Sequence, residues 1–137
     1  MESTIFEKIV RREAPAEILY EDDETLAFLD ITPNTPGHTL VIPKKPFRNI
    51  FDIDDATLAA VMRTVRIMSP AVRDAVGAKG VHINSNHEPA AGQVVFHLHF
   101  HIIPRHARSE FEFWPSQSYE PGEAAAIAES IRLKVTP

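Results

Sequence analysis

The chain has 137 residues, a hydrophobic content of 44% and a formal net charge of -5 at pH 7. This length and hydrophobic content predict one domain with a single core over residues 1–137. The negative charge argues against a nucleic-acid partner, and the absence of cysteine excludes disulfides, thiolate metal sites and a cysteine nucleophile. The N-terminus, MESTIFEKIVRREAP, has no signal-peptide core and no membrane-spanning run. We therefore expect a cytoplasmic protein with no membrane partner.

The first half of the chain predicts a short helix followed by three strands. Thr4 and Glu7 form a capping-box pattern before the apolar positions of IFEKIV, so a helix should begin there and end before Pro15. The β-prone runs EILYED and TLAFLD flank an acidic turn and predict a hairpin. HTLVIP predicts another strand after the turn-rich TPNTPG.

The second half predicts a long helix, two further strands and a terminal helix. Asp54 or Asp55 can cap a helix in which apolar residues recur at helical spacing, and Pro70 should kink or restart it, with Ser69 as a new cap. VHIN and VVFHLHFHII predict strands on either side of the loop NHEPAAGQ, and EPGEAAAIAESIRLK predicts the last helix. This order indicates an α+β fold with an antiparallel sheet and a helix packed on one face.

The segment FHLHFHIIPR carries three histidines at two-residue spacing, with apolar residues between them. Side chains alternate across a strand, so His97, His99 and His101 should share one face and the apolar residues the other. Three interpretations are open: a half-buried strand with hydrogen-bonded rings, a metal site, and a nucleophile with supporting rings. In an extended strand the outer two Cα atoms lie roughly 13 Å apart, which counts against three ligands to one ion.

The nucleophile interpretation needs one neutral imidazole aimed at an electrophile. An acceptor on its second nitrogen must select the tautomer, and neighbouring rings can supply such bonds. With an unperturbed pKa near 6.5, each ring can also exchange protons near neutral pH. The metal interpretation would need two of these rings plus a distant ligand, such as His38, His82, His87 or His106.

AGQVVFHLHFHIIPR resembles the signature of the histidine triad (HIT) family of nucleotide hydrolases and transferases. The segment IFEKIVRREAPAEILYEDDETLAFLDITPNTPGHTLVIPKK is similar to the opening of the Hint-type branch, and IIPR is similar to bacterial members. Together the two segments span most of residues 5–103. The resemblance implies a HIT fold with about five antiparallel strands, in a core over residues 4–106 and a tail over 107–137. It also implies a homodimer with a shared sheet.

The resemblance assigns different roles to the histidines. His99 matches the nucleophile that attacks the α-phosphorus of a nucleotide, and His101 matches the ring on the phosphate and leaving-group side. His97 and His38 match the supporting network behind the nucleophile. Asp30 matches the carboxylate that receives the two ribose hydroxyls; without the family context, a turn-capping role would be the simpler interpretation.

The resemblance also implies a nucleotide pocket. The residues that match the apolar walls around the base are Phe6, Ile9, Phe28, Ile31 and Leu40, each of which is also a plausible core residue. Asn86 matches an asparagine that faces the phosphate. Gly92 and Gln93 match the phosphate loop, where glycine lets backbone N–H groups approach an anion.

The chain departs from the family pattern in three ways, of which two concern the phosphate loop and the zinc ligands. Val94 stands where Hint-type proteins have serine and Fhit-type proteins threonine, so a hydroxyl near the phosphate or leaving group is missing. Thr4 and Glu7 occupy the places of paired cysteines in zinc-binding relatives, and Pro46 that of a histidine ligand. We therefore expect no structural zinc, no catalytic metal and no other cofactor.

A third departure is the tail FEFWPSQSYEPG, which replaces the Hint-type ending that helps to shape the partner's site. Trp114 could cover a pocket or anchor the tail on the domain, and anchoring is the preferred interpretation.

The resemblance implies a purine nucleotide hydrolase that cleaves the bond from the α-phosphate to its leaving group through a nucleotidyl-histidine. A phosphoramidate such as an AMP derivative is the preferred substrate. The alternatives are hydrolysis of dinucleoside polyphosphates, a nucleotide-binding adaptor with little turnover, and a metal-dependent hydrolase.

Overall fold

A computed structural model describes residues 2–137. Its helices are α1 (Ile5–Val10), α2 (Asp55–Ala75) and α3 (Glu123–Lys134). Its strands are β1 (Ile18–Glu21), β2 (Thr25–Leu29), β3 (Thr39–Pro43), β4 (Gly80–Asn84) and β5 (Phe100–Arg105). The predicted N-terminal helix is confirmed, and the Thr4 hydroxyl caps it by accepting the backbone N–H of Glu7 at 3.1 Å.

The five strands form one antiparallel sheet in the order β1-β2-β3-β5-β4. The predicted α+β class, the hairpin and the sheet are confirmed. β4 lies at an outer edge, so its free side could carry the shared sheet of a homodimer, which stays a prediction. The strand pairing that positions the histidines is that of β3 with β5, which sets Leu40 opposite His101.

The sheet is buried on both faces at its centre. Alternate residues of β2 and β3 point to opposite sides. Ala27 and Val41 join one core cluster with the apolar stripe of α2, which consists of Val61, Val65, Met68 and Val72. The cluster on the other face lies under α1 and consists of Phe6, Ile9, Leu26, Phe28, Leu40 and Ile42. The two core clusters thus hold β2 and β3 from both faces, next to the strand ends where the histidines lie.

Helix α2 continues through Pro70 without interruption. The predicted restart is wrong, and Ser69 does not cap a new helix because its hydroxyl donates to the carbonyl of Val65 at 2.7 Å. Proline removes the hydrogen bond to the carbonyl of Arg66, but both residues are exposed, so water can solvate that group. Burial of the opposite face of α2 holds the helix together.

The last strand begins later than predicted, at Phe100 instead of Val94. Residues 93–99 are irregular because their polar groups bond to the connection after β3 instead of to a neighbouring strand. The backbone N–H of Leu98, for example, donates to the carbonyl of Phe47 at 2.7 Å. His97 and His99 therefore precede the strand, and only His101 lies within it.

The tail extends from the domain and ends in α3, where Ile127 and Ile131 are exposed. The prediction that Trp114 anchors the tail is wrong, since this side chain is 92% exposed. Phe111 makes the contact instead, with its ring edge-on to His82 at 4.4 Å between centroids. Within residues 2–137, every helix is too short or too polar to cross a membrane.

Candidate functional site

Four histidines and one aspartate meet where β2, β3 and β5 lie side by side. Asp30 directly follows β2, and its backbone N–H donates to the carbonyl of His38, which directly precedes β3, at 2.9 Å. His101 lies in β5, and the centroid of its ring is 5.0 Å from that of His99. The sheet pairing therefore brings together residues that are distant in the sequence.

His99 has the geometry of a nucleophile. Its Nδ1 lies 2.7 Å from the carbonyl oxygen of His97, and because a carbonyl only accepts, Nδ1 carries the proton. The lone pair is then on Nε2. The ring is buried edge-on against Phe6 at 5.0 Å, and burial lowers its pKa. A neutral ring with a fixed tautomer is the form that can attack an electrophile.

His97 supports His99 from inside the domain. Its side chain is fully buried, and its Nε2 donates to the carbonyl of Pro43 at 2.8 Å. Its Nδ1 has no hydrogen-bond partner within residues 2–137. Burial lowers the pKa of this ring too. Its backbone carbonyl orients the ring of His99, while its own ring lies away from solvent.

His38 and His101 form a directed pair. The backbone N–H of Asn34 donates to Nδ1 of His38 at 3.0 Å, so the proton of the neutral His38 ring is on Nε2. That nitrogen lies 2.9 Å from Nδ1 of His101, which must accept. His101 therefore carries its own proton on Nε2. Burial, followed by the charges of His99 and His38, lowers the pKa of His101 to about 4.

The structure thus separates two roles that the family resemblance had combined. His97 contacts His99, whereas His38 contacts His101 and lies 3.7 Å from a carboxylate oxygen of Asp30. Burial lowers the pKa of His38, and the Asp30 carboxylate opposes this effect. Both supporting residues select a tautomer, His97 through its backbone carbonyl and His38 through its ring, and each acts on a different ring of the cluster.

Asp30 keeps one carboxylate oxygen available. Its Oδ1 accepts the backbone N–H of Thr32 at 2.9 Å and the hydroxyl of the same residue at 3.2 Å. These contacts are the turn-capping role expected from the sequence alone. They leave Oδ2 on the side of His38 and His101, so capping and recognition of a polar ligand are compatible.

Asp30, His38 and His101 could also hold a metal ion, since one ligand atom from each lies within 4.8 Å of the others. The hydrogen bond from Asn34 argues against it. It occupies Nδ1 of His38 and leaves the proton on Nε2, the atom that would have to bind the ion. A metal would have to break this contact first.

The five residues matched to the base pocket differ in exposure. Phe6, Ile9, Phe28 and Leu40 are buried together in the core cluster under α1, whereas Ile31 is 90% exposed. Phe6 links this cluster to the catalytic rings, because its ring contacts both Phe28 and His99. The structure thus places an apolar wall beside His99, and of the five residues only Ile31 exposes its side chain to solvent.

We define the phosphate loop as residues 85–96. Asn86 donates from Nδ2 to the carbonyl of Gly92 at 3.5 Å, across the loop. The backbone N–H groups of Gly92 and Gln93 donate to the carbonyls of Pro89 and Glu88. The side chain of Gln93 is buried, while Val94 is 84% exposed. Gln93 therefore shapes the loop from within, and Val94 faces outward.

The comparison with known families decides the identity of this site. The HIT domain family model matches residues 11–108, more than half of the 137-residue chain. The chain belongs to the histidine triad family. Asp30 and the four clustered histidines all lie within the matched residues.

Relatives of this HIT protein include named enzymes. The adenosine 5'-monophosphoramidase hnt1 of Schizosaccharomyces pombe is 37% identical over 136 residues, which cover 97% of this chain and 98% of that protein. The adenylylsulfatase HINT3 of Arabidopsis thaliana is 40% identical over 114 residues, which cover 83% of this chain and 57% of that protein. The crystal structure of a HIT family protein from Bacillus subtilis has a TM-score of 0.90 and 36% identity over 99% of both chains. At the family level, these matches support a nucleotide hydrolase.

Sequence reasoning missed three polar residues that organise this HIT site. Asn34 fixes the tautomer of His38 through its backbone, and the hydroxyl of Ser85 donates to the carbonyl of His99 at 2.7 Å. Asn49 is 1% exposed and bonds to the phosphate loop. Nothing in their local sequence distinguishes these residues from ordinary turn residues. Ser85 and Asn49 contact distant parts of the chain, and Asn34 acts through its backbone N–H, which nearly every residue carries.

The four clustered histidines should make the free energy of unfolding depend on pH. Their pKa values are lowered in the folded protein, whereas an unfolded histidine titrates near 6.5. Below that pH the unfolded state binds more protons, so stability is greatest above about pH 6.5 and falls as the pH falls. After discounting for His101, which is only partly buried, and for the Asp30 carboxylate that opposes the shift of His38, we expect a loss of about 2 to 4 kcal/mol between pH 7 and 5.5. Urea denaturation across this range measures it, and stability that stays flat or rises would contradict it.

Proposed function

We propose that this HIT protein hydrolyses the bond between the α-phosphate of a purine nucleotide and an amine leaving group, through a covalent nucleotidyl-His99 intermediate. One observation carries the proposal. The hydrogen bonds place a lone pair on Nε2 of His99 and a proton on Nε2 of the adjacent His101. A nucleophile and a donor side by side suit the attack on phosphorus and the departure of a basic group.

The first step transfers the nucleotidyl group to the protein. The Nε2 lone pair of His99 bonds to phosphorus, while the bond from phosphorus to the leaving nitrogen breaks. The nitrogen departs with the bonding electrons and takes up one proton. The proton on Nε2 of a neutral imidazole is too weakly acidic to be given up, so His101 supplies that proton from its cationic form, which the anionic phosphate favours by raising the pKa of the ring. Protonation of Nδ1 in this form ends the hydrogen bond that Nδ1 accepts from His38.

The second step releases the product. A water molecule attacks phosphorus, the bond to Nε2 of His99 breaks, and the electrons return to the ring as its lone pair. The proton lost by water restores the proton that the first step consumed. The products are a nucleoside monophosphate and a free amine.

The remaining residues give the proposed substrate its orientation. Asp30 would accept the ribose hydroxyls through Oδ2, and the base would contact the exposed Ile31 on the apolar wall, in which Phe6 and Phe28 are buried. An apolar wall offers contact area but few hydrogen bonds, so we expect little discrimination between purine bases. The relative named as an adenosine 5'-monophosphoramidase supports the amine leaving group.

Two alternatives rest on specific observations. The relative named as an adenylylsulfatase indicates that the leaving group varies among similar proteins, so dinucleoside polyphosphates are a second substrate class. Val94 brings no hydroxyl to the exposed face of the phosphate loop, which would suit a nucleotide-binding adaptor with little turnover.

Adenosine 5'-phosphoramidate and diadenosine tetraphosphate distinguish these functions when both are incubated with the purified protein. We expect kcat/KM for the phosphoramidate to be at least about 10-fold higher, because His101 can protonate its leaving nitrogen. Chromatography of released AMP measures both rates. A preference for the dinucleotide would support the second class, and tight AMP binding without cleavage of either compound would support the adaptor.

A further inference from the structure

The segment after β3 holds the phosphate loop along most of its length. We define residues 47–50 as the connector. The carbonyl of Arg48 accepts Nε2 of Gln93 at 2.7 Å, and the backbone N–H of Ile50 donates to Nδ1 of His87 at 3.0 Å. The carbonyl of Phe47 accepts the N–H of Leu98, between two of the triad histidines. The connector therefore acts as a template for residues 87–98.

Asn49 is the buried centre of this template. Its Nδ2 donates to the carboxylate of Glu88 and to Oε1 of Gln93, the second contact at 3.0 Å. Its Oδ1 accepts the backbone N–H of Phe51 at 3.0 Å, and its own N–H donates to Asp52 at 2.9 Å. Every polar group of this side chain is used, and two of its bonds end on the phosphate loop.

Gln93 is saturated by protein contacts. Its Oε1 accepts from Asn49 and from the N–H of Glu88 at 2.8 Å. Its Nε2 donates to the carbonyls of Arg48 and Val95 at 2.7 and 3.1 Å. The side chain has no hydrogen-bonding capacity left for a ligand, so its role is to fix the backbone beside it.

Glu88 has an unusual backbone conformation that contacts with the connector maintain. It is not glycine, yet its φ is +75°, a conformation that L residues rarely adopt. Arg48 holds its carboxylate with two bonds, at 2.7 and 3.1 Å, and the guanidinium lies over the ring of Phe96, 4.2 Å from its centroid. Without these contacts and that from Asn49, the backbone would relax to negative φ and move the loop.

We propose that Asn49, together with the Arg48–Glu88 pair, is a positioning element that keeps the phosphate loop in the shape that receives the α-phosphate. The inference rests on the proposed function and extends it, because none of these side chains needs to touch the substrate. Asn49 acts through Gln93, which shapes the backbone at Gly92 and Val94. Recognition of phosphate therefore depends on a side chain outside the pocket.

Binding of AMP compared with adenosine tests this proposal by calorimetry. In Asn49→Ala, we expect AMP to bind at least about 10-fold more weakly and adenosine to bind within 2-fold of the wild type. The proposed nucleoside contacts at Asp30 and Ile31 directly follow β2, outside the connector and the phosphate loop, so they should not change. A general loss of structure would weaken both ligands equally, and that result would overturn the proposal.

Arg48→Ala gives a second variant if Asn49→Ala does not fold. Its side chain is 47% exposed, and Arg73→Ala is the matched control because Arg73 is equally exposed and also pairs with a carboxylate, that of Asp74. We expect Arg48→Ala to lower AMP affinity about 3- to 10-fold without affecting adenosine, and Arg73→Ala to change neither. Equal effects of the two arginine variants would overturn the proposal.

Hydrogen exchange separates this inference from the proposed function. The amides of Gly92 and Gln93 are hydrogen-bonded within the loop, and we expect them to exchange at least about 10-fold faster in Asn49→Ala. Unchanged exchange would overturn the positioning role whatever the substrate is. If Asn49→Ala exchanges faster but the wild type binds AMP and adenosine equally well, the structural template is supported and its link to phosphate is overturned.

Discussion

Replacing His99 by alanine is expected to lower kcat for adenosine 5'-phosphoramidate by at least about 10⁴-fold and to abolish the covalent intermediate. His99 alone among the clustered rings combines a protonated Nδ1, fixed by the His97 carbonyl, with a free lone pair on Nε2, and its ring centroid lies 5.0 Å from that of His101. Rapid quenching followed by intact-protein mass spectrometry should detect one nucleotidyl group on the wild type during turnover. The variant should show none.

His106→Ala is the control for this experiment, because His106 is exposed and its ring lies outside the cluster. We expect it to turn over like the wild type. Binding of AMP to His99→Ala shows whether the pocket has survived the loss of a buried ring. A nucleotidyl group on another residue, or turnover of His99→Ala near the wild-type rate, would refute the nucleophile assignment.

Replacing His101 by alanine should have an effect that depends on the leaving group. An amine must be protonated as it departs, so we expect kcat/KM for adenosine 5'-phosphoramidate to fall about 10²- to 10⁴-fold. The 4-nitrophenyl ester of AMP releases a stable phenolate that needs no proton, so its kcat/KM should fall less than 10-fold. Spectrophotometry and chromatography measure the two rates on the same enzyme sample.

The comparison of the two substrates also controls for misfolding, because a damaged pocket would slow both reactions alike. Removing His101 leaves Nε2–H of His38 without its acceptor, which we expect to cost about 1 to 3 kcal/mol of stability. Thermal denaturation measures that cost and shows whether the variant is folded at the assay temperature. Equal losses for the amine and the phenolate would contradict the role of His101 as proton donor.

The local sequence predicted those elements whose stability depends on nearby residues. The hairpin, the capped α1 helix and the strand HTLVIP follow from turn residues, capping and alternation, which act over a few positions. Pro70 was misjudged because the energy that keeps α2 continuous comes from the burial of its opposite face. The start of β5 was misjudged because the N–H of Leu98 bonds to Phe47, which is far away in the sequence.

The sequence by itself determined the family, the rings available and the order in which they occur, because the spacing of FHLHFHIIPR and the residues around it are specific. Only the tertiary structure decided which nitrogen of each ring carries a proton. That choice depends on the carbonyls of His97 and Pro43 and on the N–H of Asn34, and backbone groups are the same in every sequence. Their positions follow from strand pairing and loop packing, so the chemistry of each histidine becomes defined only when the sheet forms.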